Sequence, residues 1–260
     1  MSATTITFGD VAENGIGMEK IGALADDGFT YLDLARAKWR FEAAGCKCEL
    51  IDLISDGRIE LLGDDIESAT VLVVRNAIPA LIIGADADDT AAEQCGLAAA
   101  GMPPDRKAIF RGEVKNKRAR HNLCFAPVSQ EPNYTAGRGR IVSFNMVPCL
   151  AAIRDALPVY FGPKGANLLA EGNYYYDVSK CGIGFHGDAE RRKVIAFRFG
   201  AAIPLHYQWY LRWQAVGSRI AIALNHGDMY AMSTKAVGSD WRSSSKLTLR
   251  HAAGAAKYLQ

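Results

Sequence analysis

Apolar residues recur at helical spacing near the start of the chain. Met18, Ile21, Leu24 and Ala25 form one series, and Leu32, Leu34, Ala37 and Phe41 form another. Helices are therefore expected between residues 15 and 50, the second ended by Gly45. Cys48–Leu53 then reads as a short strand and Thr70–Arg75 as another, with Asn76 as the turn. Residues 84–105 are rich in Ala, Asp and Gly and close on Pro103-Pro104, the composition of a mobile surface segment or a seam.

Beyond about residue 135 the period shortens. Arg140–Phe144, Val194–Phe199, Tyr207–Trp213, Arg219–Leu224, Met229–Met232 and Lys246–Arg250 are short, often alternating runs bounded by Gly, Asn, Asp or Ser. Such spacing predicts an antiparallel sandwich or barrel. One helix, around Cys149–Leu157, precedes Pro158. The expected architecture is α+β, an N-terminal α/β extension over 1–105 followed by a strand-rich core over 106–260.

With 260 residues, 49% of them apolar, the chain can bury a sizeable core. A formal net charge of +2 neither demands nor excludes a nucleic-acid partner. No run of about 18 apolar residues exists, so no transmembrane helix and no membrane partner are expected. Met1–Phe8 lacks the basic and apolar regions of a signal peptide, which points to a cytoplasmic protein. The cysteines (Cys46, Cys48, Cys95, Cys124, Cys149, Cys181) are scattered and read as free thiols in a reducing compartment.

The chemistry concentrates at Gly182–Glu190. On an extended backbone, side chains at i and i+2 point the same way. His186 and Asp188 can therefore offer a nitrogen and an oxygen to one metal ion, and a His-x-Asp pair with a distant third ligand is the pattern of the facial triad of non-haem Fe(II) oxygenases.

Four pieces in order extend this pattern: Asn173-Tyr174-Tyr175, Ile183-Gly184-Phe185-His186-Gly187-Asp188-Ala189-Glu190, His226-Gly227-Asp228 entering Met229–Met232, and Lys246-Leu247-Thr248-Leu249-Arg250. Together they resemble the AlkB-like branch of the Fe(II)/2-oxoglutarate dioxygenases, over about a third of the chain. The resemblance implies a double-stranded β-helix (jelly roll) with Fe(II) at one mouth and 2-oxoglutarate chelated to it. It further implies that Asn173 and Tyr175 contact 2-oxoglutarate and that Arg250 holds one of its carboxylates, a role suited to a planar guanidinium. The family's distal histidine would fall near Asp240-Trp241, where this chain has none. His251 is the favoured third ligand, with Asp240, or an incomplete triad, as alternatives; if His251 serves, Arg198 or Lys246 becomes a candidate carboxylate partner. Asp188 fills the position that halogenases of the superfamily leave open, so the resemblance implies hydroxylation or oxidative demethylation.

The densest basic stretch runs from Arg106 to His121 and includes Arg118 and Arg120. It reads either as a solvated face or as a phosphate clamp. Its aromatics are sparse, which favours a small nucleotide or nucleoside over a long polymer; an alkylated single strand is the alternative. Glu190 either accepts hydrogen bonds from a base or pairs with Arg192. Trp209, Tyr210 and Trp213 read as packing, with a substrate-stacking platform as the alternative; His121 and His206 read as ordinary histidines, and His226 as a turn residue without a metal role. The alternatives are an enzyme that tailors a nucleoside or nucleotide natural product and, from another class, a non-catalytic jelly-roll binding module that has lost iron.

Overall fold

The computed structural model describes residues 1–15, 17–59 and 66–260. In chain order the strands and helices are β1 (Ala3–Gly9), β2 (Val11–Glu13), β3 (Lys20–Gly22), α1 (Tyr31–Ala43), β4 (Cys48–Asp52), β5 (Thr70–Val74), α2 (Ile78–Leu81), α3 (Ala87–Gly96), β6 (Lys107–Phe110), β7 (Glu113–Asn116), β8 (His121–Ala126), β9 (Ile141–Ser143), α4 (Pro148–Phe161), β10 (Leu169–Tyr175), β11 (Gly182–His186), β12 (Ile195–Gly200), β13 (Leu205–Leu211), β14 (Gln214–Ile222), β15 (Met229–Met232), α5 (Thr234–Val237) and β16 (Thr248–Gly254). The fold is mixed α+β and rich in antiparallel sheet. An eight-stranded sheet runs β4-β5-β15-β12-β1-β10-β8-β9, and a four-stranded sheet runs β11-β16-β13-β14.

Side-chain alternation divides the large sheet's faces between two cores. Ile6 and Phe8 of β1, Leu72 and Val74 of β5, and Phe197 and Phe199 of β12 pack against Leu34, Phe41, Ile153 and Leu157 of α1 and α4. Their neighbours Val71, Val73 and Ala196 turn the other way, onto Tyr207, Trp209, Ile222 and Leu249 of the small sheet. Helices, large sheet and small sheet thus form successive layers. β5, buried at every residue, is an apolar run because both of its faces are covered.

The boundary expected near residue 105 does not divide the fold. β1 lies between β12 and β10, bonded in register to both, and β5 pairs with β15. Residues from both sides of 105 build one sheet, because strand pairing joins segments far apart in sequence.

The helix expected around Met18–Ala25 is instead the β2–β3 hairpin. Gly15, Gly17 and Gly22 have φ of +112°, +84° and +94°, conformations that a right-handed helix does not use. The second helix forms as expected: Thr30 and Asp33 make a reciprocal capping box, and Leu34, Ala37 and Phe41 are its buried stripe. Residues 84–105 contain a docked helix, α3, capped by Asp86. Its Glu93 accepts the N–H groups of Cys149 and Leu150 at the start of α4, and its Gln94 accepts the Tyr174 hydroxyl.

Candidate metal centre and its cavity

A cavity of about 510 Å³ opens between the sheets. Thr5 and Thr7 of β1, Glu171, Asn173 and Tyr175 of β10, and Arg198 of β12 face it from the large sheet. These are the polar alternates of the residues that β1, β10 and β12 give to the helix-side core.

Opposite them, β11 and β16 run antiparallel with His186 and His251 as register partners. The rings lie 4.5 Å apart between centroids. Asp188, just past β11, places Oδ1 3.5 Å from His186 Nε2 and 3.8 Å from His251 Nε2. One ligand atom from each of the three residues therefore falls within 4.8 Å of the others. Gly187 allows this bend: a Cβ there would sit 2.0 Å from the Gly238 carbonyl oxygen. The Asp188 N–H donates to the Val237 carbonyl at 3.0 Å, tying the bend to the end of α5.

Protonation suits ligation. His186 Nδ1 lies 2.8 Å from the Gly184 carbonyl; since a carbonyl only accepts, the proton sits on Nδ1 and Nε2 is free to ligate. Burial, and then the neighbouring His186, push His251 down to about 3, so its imidazole is neutral at physiological pH. Burial would raise Asp188, but the Arg191 guanidinium, the largest opposing influence, outweighs it and holds the carboxyl well below the usual range. The neutral His251 imidazole and the ionised Asp188 carboxylate are the forms that bind a metal.

Asp240, the alternative third ligand, lies outside this group and pairs with Lys235 at 2.7 Å. Arg250, expected to hold a cosubstrate carboxylate, is not on the cavity wall. Alternation along β16 sends His251 inward and Arg250 outward, where its guanidinium lies 4.0 Å above the Tyr210 ring. Lys246 is exposed ahead of β16. Arg198 does reach the cavity: it is 1% exposed, donates to Thr5 Oγ1 and lies 5.9 Å from the Tyr175 ring centre. Its Nε has no hydrogen-bond partner among the described residues.

Asn173 accepts from Arg120 and from Asn122 (2.8 Å) and donates to Glu171 at 3.1 Å. Arg120 lines the cavity, whereas Arg118 is exposed and its carbonyl accepts the Tyr176 hydroxyl. Glu190 also lines the cavity, but its partner is Arg191 at 3.4 Å rather than Arg192. Sequence reasoning passed over Arg191, which is 4% exposed. It bonds Glu171 at 2.7 Å and lies 3.8 Å from Asp188, so it anchors the Asp188 carboxylate to β10. Its signal was a charge run adjoining the His-x-Asp pair. Thr5 and Thr7 were also missed, although their alternation with Ile6 and Phe8 marks a two-faced strand.

The remaining histidines lie apart from the cluster. His226 accepts the Gly200 N–H at 2.9 Å, His121 stacks on Tyr176, and His206 sits on β13.

No family model matches the chain. Over 257 residues it is 42% identical to an uncharacterized protein of Acanthamoeba polyphaga mimivirus, an alignment covering 98% of this chain and 97% of that protein. The chain belongs to that protein's family. Among the described residues no helix is long and apolar enough to cross a membrane.

Proposed function

We propose that this protein is an AlkB-like Fe(II)/2-oxoglutarate-dependent oxygenase that hydroxylates or oxidatively demethylates a nucleobase-containing substrate. The observation that carries this reading is a His–Asp–His cluster, half-buried at His186 and Asp188 and buried at His251, sharing one cavity with a buried arginine that has no acidic partner among the described residues.

Strand order supports a jelly-roll origin. An eight-stranded jelly roll is two interleaved Greek keys, with strands 2-7-4-5 in one sheet and 1-8-3-6 in the other. Counting β10 as the first, the small sheet β11-β16-β13-β14 reads 2-7-4-5. The centre of the large sheet, β10-β1-β12-β15, reads 1-8-3-6 if β1 takes the eighth place. The fold is then a permuted jelly roll. The end of β16 and the start of β1 lie together, with Ala253 and Ala3 in one apolar cluster.

The donor set fits Fe(II): two imidazole nitrogens and one carboxylate oxygen, with the remaining positions open to the cavity. The buried Arg198, with an unpartnered Nε, fits a cosubstrate carboxylate, because a desolvated guanidinium requires an anion. Fe(II) and 2-oxoglutarate, when bound, supply the oxidising chemistry at a C–H bond. The chain supplies placement. His186, Asp188 and His251 would hold the metal, Arg198 and Thr5 would orient the cosubstrate, and Asn173 and Tyr175 would shape its wall. Glu190 and Arg120, on the cavity's polar side, would meet the substrate. Asp188 occupies a coordination position, which favours hydroxylation over halogenation.

Anaerobic addition of Fe(II) and then 2-oxoglutarate to the metal-free protein is expected to produce a weak visible charge-transfer absorption. No absorption from folded protein rejects the reading. A succinate-release screen over nucleotides, nucleosides and methylated oligonucleotides then identifies the substrate.

A further inference from the structure

We propose that the outer face of the small sheet binds single-stranded nucleic acid, on a platform of aromatic rings and arginines beside the cavity mouth. This deepens the substrate class of the oxygenase reading, but the binding itself needs neither metal nor cosubstrate.

The hairpin joining β13 to β14 turns at Arg212 and Trp213, with φ of +50° and +67°. Two-residue hairpin turns of this kind favour Asn-Gly, because bulky L-residues are disfavoured in left-handed backbone. The disfavoured turn presents Trp213, 52% exposed, at its tip. Beneath the tip the Arg250 guanidinium carbon lies 4.0 Å from the Tyr210 ring centre, 5.3 Å from Trp213 and 5.4 Å from Trp241. Arg242 lies 5.2 Å from Trp241, and Arg219 lies 5.1 Å from Phe185.

Among the described residues, Arg212, Arg219, Arg242 and Arg250 form no ion pair. Arg250 Nε and Nη2 are buried beneath these rings, so Arg250 supports the platform while the exposed Arg212, Arg219 and Arg242 present its charge to solvent. A cluster of arginines without ion-pair partners among the described residues complements a polyanion. Its exposed ring selects a single strand, whose unpaired bases offer faces for stacking that a duplex hides. The exposed arginines are spread over the hairpin tip, β14 and the turn before β16, which suits several successive phosphates better than one. Phe185, Trp241 and Arg242 also line the cavity, so the platform runs into the mouth of the candidate metal site.

The test is fluorescence anisotropy with a labelled oligothymidylate of about ten nucleotides, within the site sizes of single-strand binders. The intact protein is kept in chelator, so that the outcome is independent of iron chemistry. Binding is expected to weaken with salt and to fall roughly tenfold in Trp213→Ala, the scale of one lost base stack. Arg219→Ser, a surface change on the same face, should lower the salt slope by about one. Thymidine monophosphate at equal nucleotide concentration should compete poorly. Absent binding at low salt, an unchanged affinity in both variants, or equal competition by the mononucleotide overturns the proposal. Failure here beside a positive charge-transfer titration removes the platform alone; the reverse pattern removes the oxygenase reading and leaves the platform.

Discussion

His186 and His251 face each other as register partners across adjacent antiparallel strands, 65 residues apart in the chain and 4.5 Å apart between ring centres. Asp188 reaches both imidazoles from the bend after β11. The third member of the candidate metal cluster thus comes from strand pairing rather than from the loop before β16, where Asp240 is paired with Lys235.

His251→Ala is therefore expected to lower affinity for Fe(II), or for Mn(II) as an air-stable probe, by more than the roughly 10- to 100-fold that outer-shell changes cause. Asp240→Ala should leave it within a few-fold. Isothermal titration of the metal-free protein checks both. Equal losses in the two variants would reject the ligand assignment.

The same cluster governs acid stability. His251 takes up its proton near 6.5 when unfolded but only near 3 when folded, burial being the main cause and His186 the next. The unfolded chain then binds more protons between those values, so the stability contributed is complete above 6.5 and drains away as pH falls toward 3. Asp188, also depressed, adds to the loss at the acid end. Urea midpoints of the metal-free protein should fall steadily across that window, and His251→Asn should flatten the slope. Glu13 has the opposite sign. Burial, with Glu190 and Glu171 next, raises it to about 7, so its contribution is lost as pH rises from about 4.5 to 7. Glu13→Gln should gain stability over wild type at pH 8 and little at pH 4.

Arg198 combines a cost and a use. Its guanidinium is buried with no carboxylate paired to it among the described residues, so Arg198→Met should stabilise the ligand-free protein, by about 1–4 kcal/mol on the scale of buried charges replaced by apolar groups. The same variant should weaken 2-oxoglutarate binding roughly 10- to 100-fold, as expected for a lost hydrogen bond to a charged group. Arg250→Ala should leave that binding unchanged, since Arg250 stacks on Tyr210 outside the cavity. Calorimetry with a redox-inert metal in place separates the two; loss only in the Arg250 variant would reverse the assignment.

What could be read from the chain follows the range of the interactions. Capping by Thr30 and Asp33, the stripe of α1 and the buried run of β5 are local, and all are visible in sequence. The apolar series at 18–25 misled because glycine backbone preferences overrode side-chain spacing. His186 and Asp188 were legible as an i, i+2 pair. The choice between Arg198 and Arg250 was not, because it depends on which face of each strand meets the cavity, and that is fixed by pairing between distant segments. The N-terminal strand was the least visible part. Thr4–Phe8 alternates clearly, but nothing near it in sequence says that its partners are β10 and β12.

Ile6 is fully buried in β1, which is bonded on both edges, and Phe8 packs edge-on against Phe197. Proline at an interior position of a central strand removes a ladder hydrogen bond and has no edge to retreat to, so Ile6→Pro should cost about 3 kcal/mol or more. A fragment of residues 106–260 would lack β1, β4 and β5, leaving β10 and β12 with unpaired facing edges. If the N-terminal region were a separate extension, both molecules would keep a folded core that binds metal. Because it supplies the strand between β10 and β12, the fragment should give the collapsed amide dispersion of an unfolded chain in a proton–nitrogen correlation spectrum, and Ile6→Pro a strongly lowered melting temperature. A well-dispersed fragment spectrum would show that β1 is dispensable and would remove the permuted jelly-roll reading with it.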